Sequence, residues 1–163
     1  MMMPERQVMN MNILEVQNLC KTYGKEEAEV RALDHVSLSE GKGKFIAVAG
    51  EPRSTKGTLL NAVGALDNPT SGEVRIDGKN IFSIPEKKLT VFRRQNIRFI
   101  YQSFNLISEL KVEQSITFHL KSMSVKYRQT ILMIIHNENH ADATDRVQLM
   151  TDGRRKDLGV AAI

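Results

Sequence analysis

Apolar residues in this chain come in short bursts separated by polar turns, and the spacing within each burst names an element. Phe45-Ile46-Ala47-Val48-Ala49 is a continuous apolar run, the pattern of a strand buried on both faces. Directly after it Leu59, Leu60, Val63 and Leu66 recur at helical spacing. This predicts a helix from near Lys56 to about Leu66, stopped by Asp67-Asn68-Pro69. Ile13 to Val16 and Val36 to Leu38 read as strands. Gly72 to Lys79 alternates and carries Asp77-Gly78, as in a hairpin on an antiparallel edge. Ser83-Ile84-Pro85-Glu86 spells a capping box with proline in the first turn, predicting a helix from Pro85 to about Arg94. Further on, the pattern predicts a strand at Ile97 to Tyr101 and a helix at Val112 to Lys121. A buried strand follows at Ile131 to Ile135, then a last strand at Asp145 to Met150 with a turn at Asp152-Gly153. The result is an α/β chain with one domain at 13–153, an extension at 1–12 and a tail at 154–163.

Composition narrows the class only a little. The 163 residues are 41% hydrophobic and 26% charged, which suits one domain around a single core. The longest clean apolar run, Ile131 to Ile135, is far short of a membrane span, and the opening MMMPERQVMNM has no apolar h-region. A soluble, cytoplasmic protein is expected. Cys20 is the single cysteine, which excludes an internal disulfide and a cysteine-cluster metal site. The net charge of +4 gathers in two knots, Arg93-Arg94 with Arg98 and Arg154-Arg155-Lys156. Neither is interleaved with stacking aromatics, so solvated or partner-docking faces are expected and no nucleic-acid partner. His136, Glu138, His140 and Asp142 lack the H-E-x-x-H order of a zinc hydrolase and read as a solvated loop.

The chemistry concentrates in Gly50-Glu51-Pro52-Arg53-Ser54-Thr55-Lys56-Gly57-Thr58, between the apolar strand and its helix. A P-loop reads G-x-x-x-x-G-K-[ST]; here Gly50 and Lys56 keep that spacing, while Thr55 replaces the second glycine and Gly57 the hydroxyl residue. Such a loop holds phosphate with inward-pointing backbone N–H groups and the positive end of a helix, so side chains must stay clear. Arg53 and the β-branched Thr55 would each cost about 1–3 kcal/mol if their φ were positive. Gly57 offers Mg²⁺ no oxygen. Thr58 is turned roughly 100° around the helix from it and is no simple replacement.

A wider pattern surrounds the loop. Leu14-Glu15-Val16 with Lys21-Thr22-Tyr23-Gly24, then Arg31 to Leu38, then Gly64-Ala65-Leu66-Asp67-Asn68-Pro69-Thr70-Ser71-Gly72-Glu73 resemble the opening half of an ABC transporter ATPase. Phe92 to Ile107, with Gln102-Ser103-Phe104-Asn105, resembles the Q-loop region of the branch that drives lipoprotein release and macrolide export. Gln129 to His136, with Asp145-Arg146-Val147 and Met150 to Arg154, resembles the switch-histidine strand and the strand after it. The interval from Gln102 to His136 is only 34 positions and holds neither a Leu-Ser-Gly-Gly-Gln signature nor an apolar strand ending in Asp-Glu. The chain resembles an ABC ATPase with its middle excised, joined near Leu120 to Tyr127.

The resemblance implies a P-loop NTPase-like core with an antiparallel edge, lacking the helical signature subdomain and the Walker B strand. It implies ATP as ligand, with Gly50, Ser54, Lys56, Gly57 and Thr58 at the phosphate positions and Tyr23 stacked on adenine. Gln102 would touch metal and attacking water, and His136 would sense the γ-phosphate. On the residues alone, Tyr23 is also an ordinary half-buried aromatic, Gln102 a polar strand end and His136 a strand-end histidine. The partners implied are a transporter membrane subunit, at the inner face of the membrane, and a second copy of the chain. Two functions stand: energy coupling by ATP hydrolysis, and a non-enzymatic remnant or a nucleotide- or partner-binding module. The missing Walker B acid and signature favour loss of hydrolysis.

Overall fold

The computed structural model describes residues 12–51, 55–97, 110–135 and 142–157. Its elements run β1 (Asn12–Tyr23), β2 (Val30–Gly41), β3 (Phe45–Gly50), α1 (Lys56–Val63), β4 (Ser71–Ile76), β5 (Lys79–Asn80), α2 (Glu86–Asn96), α3 (Leu110–Tyr127), β6 (Ile131–Ile134), β7 (Arg146–Thr151) and β8 (Arg154–Asp157). They form two sheets. One is antiparallel with order β2-β1-β4-β5; the other has order β6-β3-β7-β8, with β3 parallel to both its neighbours and β8 antiparallel to β7.

The apolar run at Phe45 to Ala49 lies where its pattern requires, in the interior of the mixed sheet. Phe45, Ile46, Ala47 and Val48 are fully buried, and the two faces of the strand serve different clusters. Val48 joins Leu14, Val16, Leu19, Leu33, Val36 and Leu38 of the antiparallel sheet, together with Leu59 and Ala62 of α1. Ala47 and Ala49 look the other way, toward Ile135 and Val147. Each large aliphatic side chain so buried contributes roughly 1.5–3 kcal/mol. Leu132 packs on the first cluster and Met133 on the second, as adjacent residues of a strand must. Ile131 pairs with Phe45 and Ile134 with Val48, so the segment after the shortened interval enters the central sheet beside β3.

Several elements differ from their expected bounds. Strands β1 and β2 are twelve residues each, much longer than their apolar cores, because their polar positions face outward while the ladder continues. Helix α1 stops at Val63, capped by Gly64, and Ala65 turns left-handed at φ 57, which leaves Leu66 exposed. The Asp77-Gly78 turn forms as expected, both residues at positive φ, and joins β4 to β5. The capping box does not form. Ser83 lies in a short 3₁₀ turn and donates its hydroxyl to the Asn80 carbonyl, and Pro85 is the N-cap of α2 instead of a first-turn residue. Ile97 is extended, but the rest of the strand expected at Ile97 to Tyr101 lies outside the described residues. Helix α3 runs unbroken through the expected junction at Leu120 to Tyr127. β8 carries the sheet past Gly153 into the residues expected as tail.

Candidate nucleotide site

The loop opens where β3 ends at Gly50. Gly50 is paired with Met150 of β7, so the loop springs from the centre of the mixed sheet. It closes at α1, whose first residue is Lys56. The Lys56 ammonium donates to the carbonyls of Gly50 and Glu51, both at 2.9 Å, and so ties the helix start to the strand end. Burial pushes the Lys56 ammonium below its ordinary value, and the residue is 4% exposed.

Thr55 is less strained than expected, and Arg53 lies outside the described residues. Thr55 is the N-cap of α1 with φ −83, so the strain that a positive φ would have brought is absent. Its side chain makes no cap hydrogen bond, and its hydroxyl oxygen is buried without a hydrogen-bond partner. Gly57 faces open space: a Cβ there would meet nothing within 4 Å. The Thr58 hydroxyl is in hydrogen-bonding reach of the Tyr23 phenol.

Tyr23 ends β1 and keeps 43% of its surface open. Its phenol donates to Asp67 Oδ2 at 2.8 Å, and the Lys21 ammonium lies 5.0 Å from the ring centroid. Burial, then the bond to Asp67, pushes the phenol up from its ordinary value. Asp67 is held down, first by the bond from Lys21 and then by that from Tyr23. Through Thr58, Tyr23 thus neighbours the first turn of α1, two residues on from Lys56. Ser54, Gln102 and His136 lie outside the described residues, as do Glu138 and His140. Lys21 and Asp67 are the residues sequence reasoning missed. Lys21 stood within Lys-Thr-Tyr-Gly, but Asp67 read only as a helix stop.

Other polar clusters are structural. A surface cleft lined by Glu29, Arg31, Asp34, Thr151, Asp152 and Arg154 lies at the β2–β8 junction and includes no loop residue. Cys20, Asp34 and His35 bring three potential ligand atoms within 4.8 Å of one another, but Arg154 and His35 already hold both Asp34 oxygens, at 2.7 and 2.8 Å. Within the basic knots, Arg93 donates to the Ala65 carbonyl and Arg155 to Gln148, while Arg98 lies outside the described residues.

A family model described as ABC transporter matches residues 33–163. The chain belongs to the ABC transporter family. It is 36% identical over 104 residues to the macrolide export ATP-binding/permease protein MacB of Hyphomonas neptunium, covering 64% of this chain and 16% of that protein. It is 36% identical over 121 residues to the uncharacterized ABC transporter ATP-binding protein YvcR of Bacillus subtilis, covering 73% of this chain and 47% of the relative. The chain thus spans less than half the length of these curated relatives. Among solved structures, the ATP-binding cassette MJ0796, in a dimeric post-hydrolysis state bound to ADP and Pi, superposes with a TM-score of 0.83. The identity is 21%, over 92% of this chain and 100% of that one, and the likeness is one of fold. This ABC family chain has the cassette's α/β core with its antiparallel edge, and among the described residues no helix is long and apolar enough to cross a membrane.

Proposed function

We propose that this ABC cassette chain binds a nucleoside triphosphate weakly, through the loop at 50–58 and the face of Tyr23, and does not turn it over. The observation that carries the reading is the Lys56 bridge from the start of α1 to the carbonyls of Gly50 and Glu51, taken with the exposed Tyr23 that neighbours the same helix. Together they offer a cation at the helix start and a surface for a flat base. The buried, unpartnered Thr55 hydroxyl fits an incoming phosphate oxygen as acceptor of its proton. Gly57 gives Mg²⁺ no ligand, so binding is largely metal-independent. When bound, ATP would supply the phosphoryl group whose transfer drives transport in an intact cassette. The protein's share of that step is positioning and charge, and the sequence carries no Walker B acid and no signature loop to provide it. Gln102 and His136 keep the inherited positions of the water-orienting and γ-phosphate-sensing groups, without the acid they work beside.

The names of the MacB relatives, ATP-binding/permease proteins, support a membrane subunit of an exporter as partner at the inner membrane face. The dimeric MJ0796 cassette supports a second copy as another. Titration of purified protein with ATP, with and without Mg²⁺, tests the reading. Weak binding unchanged by the metal and reduced in Lys56→Ala is expected, with phosphate release at background. Steady release that Lys56→Ala abolishes would overturn the absence of turnover.

A second reading, a partner-binding module without nucleotide, is favoured by α3. This helix lies against β3, yet it buries Thr117 and Ser124 and exposes Phe118 at 69% and Val125 at 65%. Absence of any ATP or tripolyphosphate binding would select it.

A further inference from the structure

The Tyr23 ring is held in place from a segment that has no part in the phosphate loop. Lys21 and Tyr23 are alternate residues at the end of β1, so both side chains leave the strand on one side. Across from them, the chain leaving α1 passes through Asp67 and Asn68. It is fastened to β1 by Thr70 N–H donating to the Cys20 carbonyl at 2.8 Å and by Thr22 N–H donating to the Thr70 hydroxyl at 2.9 Å. Asp67 then uses its two carboxylate oxygens on two different side chains. Oδ1 accepts from the Lys21 ammonium at 2.8 Å and Oδ2 from the Tyr23 phenol at 2.8 Å. Lys21 also donates to the Asn68 carbonyl at 2.6 Å, which fixes its head near the tyrosine ring.

We propose that Asp67 is a positioning residue for base binding, orienting Tyr23 as a rigid stacking surface whose other flank is covered by Lys21. This rests on the reading of Tyr23 as the base platform. A tyrosine at a strand end has two free side-chain torsions, and an untied ring loses part of any stacking gain in becoming ordered. Asp67 removes that loss before a ligand arrives. The Lys21 cation over the ring leaves a single face for the base. The phenol is engaged with Asp67, so the platform contacts ring area and not the hydrogen-bonding edge of the base.

The experiment compares ATP with inorganic tripolyphosphate, which has the phosphates and no base, in the full chain and in Asp67→Ala, Tyr23→Ala and the double variant. ATP should bind tighter than tripolyphosphate in the unchanged chain. Asp67→Ala should weaken ATP about five- to tenfold, within the range that loss of one base–aromatic stack allows, and leave tripolyphosphate unchanged. In the double variant ATP should bind as in Tyr23→Ala. If ATP binds tighter than tripolyphosphate and Asp67→Ala leaves that difference intact, the role of Asp67 is overturned while the nucleotide reading stands. If the two ligands bind equally, or neither binds, the platform reading fails and this inference with it. A ligand-free measurement guards against a variant that merely unfolds. The ultraviolet titration of the Tyr23 phenol, assigned by its loss in Tyr23→Phe, should move down toward the ordinary tyrosine value in the milder Asp67→Asn with native circular dichroism retained. An unmoved titration would also overturn the proposal.

Discussion

Gln148 and Glu40, 108 positions apart, are joined by a buried 2.9 Å hydrogen bond that links the two sheets. Gln148 Nε2 donates to Glu40 Oε1, Arg155 donates to Gln148 Oε1 at 3.1 Å, and Arg146 lies 3.6 Å from Glu40 Oε2. Glu40 is 3% exposed and Gln148 fully buried, so neither can fall back on water. Glu40→Ala leaves the Gln148 amide without its acceptor and should cost about 1–3 kcal/mol in urea unfolding. Gln148→Ala removes a hydrogen-bond donor from a buried carboxylate and should cost at least as much. Glu40→Gln keeps the acceptor and should lose less than Glu40→Ala; a loss equal to that of Glu40→Ala would show that the charge, and not the bond between the sheets, is what matters.

Acid should reach the carboxylates that tie distant segments only below the ordinary aspartate range. His35, then Arg154, hold the Asp34 carboxyl down to about 2 from its ordinary 3.8. A carboxyl with a depressed folded value stabilises the fold fully above the unfolded value and loses that contribution as pH falls through the folded one. The link from Asp34 on β2 to Arg154 on β8 should therefore persist at pH 4 and weaken between pH 4 and about 2. Asp67, depressed by Lys21 and Tyr23, shifts in the same direction. The carboxyl carbon resonances of the two residues, followed by NMR, should titrate below the ordinary aspartate range; an Asp34 midpoint near 4 would remove the argument.

The strand after the shortened interval should be as protected as the P-loop strand beside it. Ile131 N–H donates to the Lys44 carbonyl at 2.9 Å and Ile135 N–H to that of Val48 at 3.0 Å, which fastens β6 to β3 at both ends. Asp145 secures the other side of β3, accepting from the Phe45 N–H at 2.7 Å and from Lys121 of α3. Amide exchange at Ile131 and Ile135 should be slow, on the scale of Ala47 and Val48. Fast exchange at both, with β3 protected, would show that the chain is stably folded only in its first two-thirds.

What could be read from the sequence was local, and what could not was mostly long-range. Phe45 to Ala49 announced a central strand because five apolar residues in a row have no polar face to offer water. Asp77-Gly78 announced a turn because both residues tolerate positive φ. Helix α3 was found but underestimated at both ends, since it buries Ser124 and exposes Phe118 and Val125, so its apolar periodicity points away from its packed side. The Ser83-to-Glu86 spelling suggested a cap that the Asn80 carbonyl captured instead. At the candidate site, Gly50 and Lys56 were legible from their spacing. The clamp on Tyr23 was not, because Asp67 is 44 residues away and nothing local marks it as a partner.

Restoring the loop separates two effects that the sequence had merged. Thr55 sits at φ −83, so Thr55→Gly relieves no backbone strain; relative to Thr55→Ala, which also removes the buried unpartnered hydroxyl, it should lower stability by about 0.5–1 kcal/mol. Any gain from that change must come from space opened for a phosphate. Gly57 is different, since a side chain there meets nothing within 4 Å and Gly57→Ser should be accepted without rearrangement while supplying the missing metal oxygen. The triple change Arg53→Gly, Thr55→Gly and Gly57→Ser should therefore tighten ATP binding, and Mg²⁺ dependence should arrive with the serine and not with either glycine. Isothermal titration of the three single variants and the triple, each with Mg²⁺ and with chelator, reads both effects, and urea unfolding reads the strain. If Thr55→Gly is more stable than Thr55→Ala, which removes the same unpartnered hydroxyl, residue 55 carries a strained conformation after all. If the triple variant leaves ATP affinity and its metal response where they were, the Lys56 bridge only holds the start of α1 to the end of β3 and forms no cradle for phosphate.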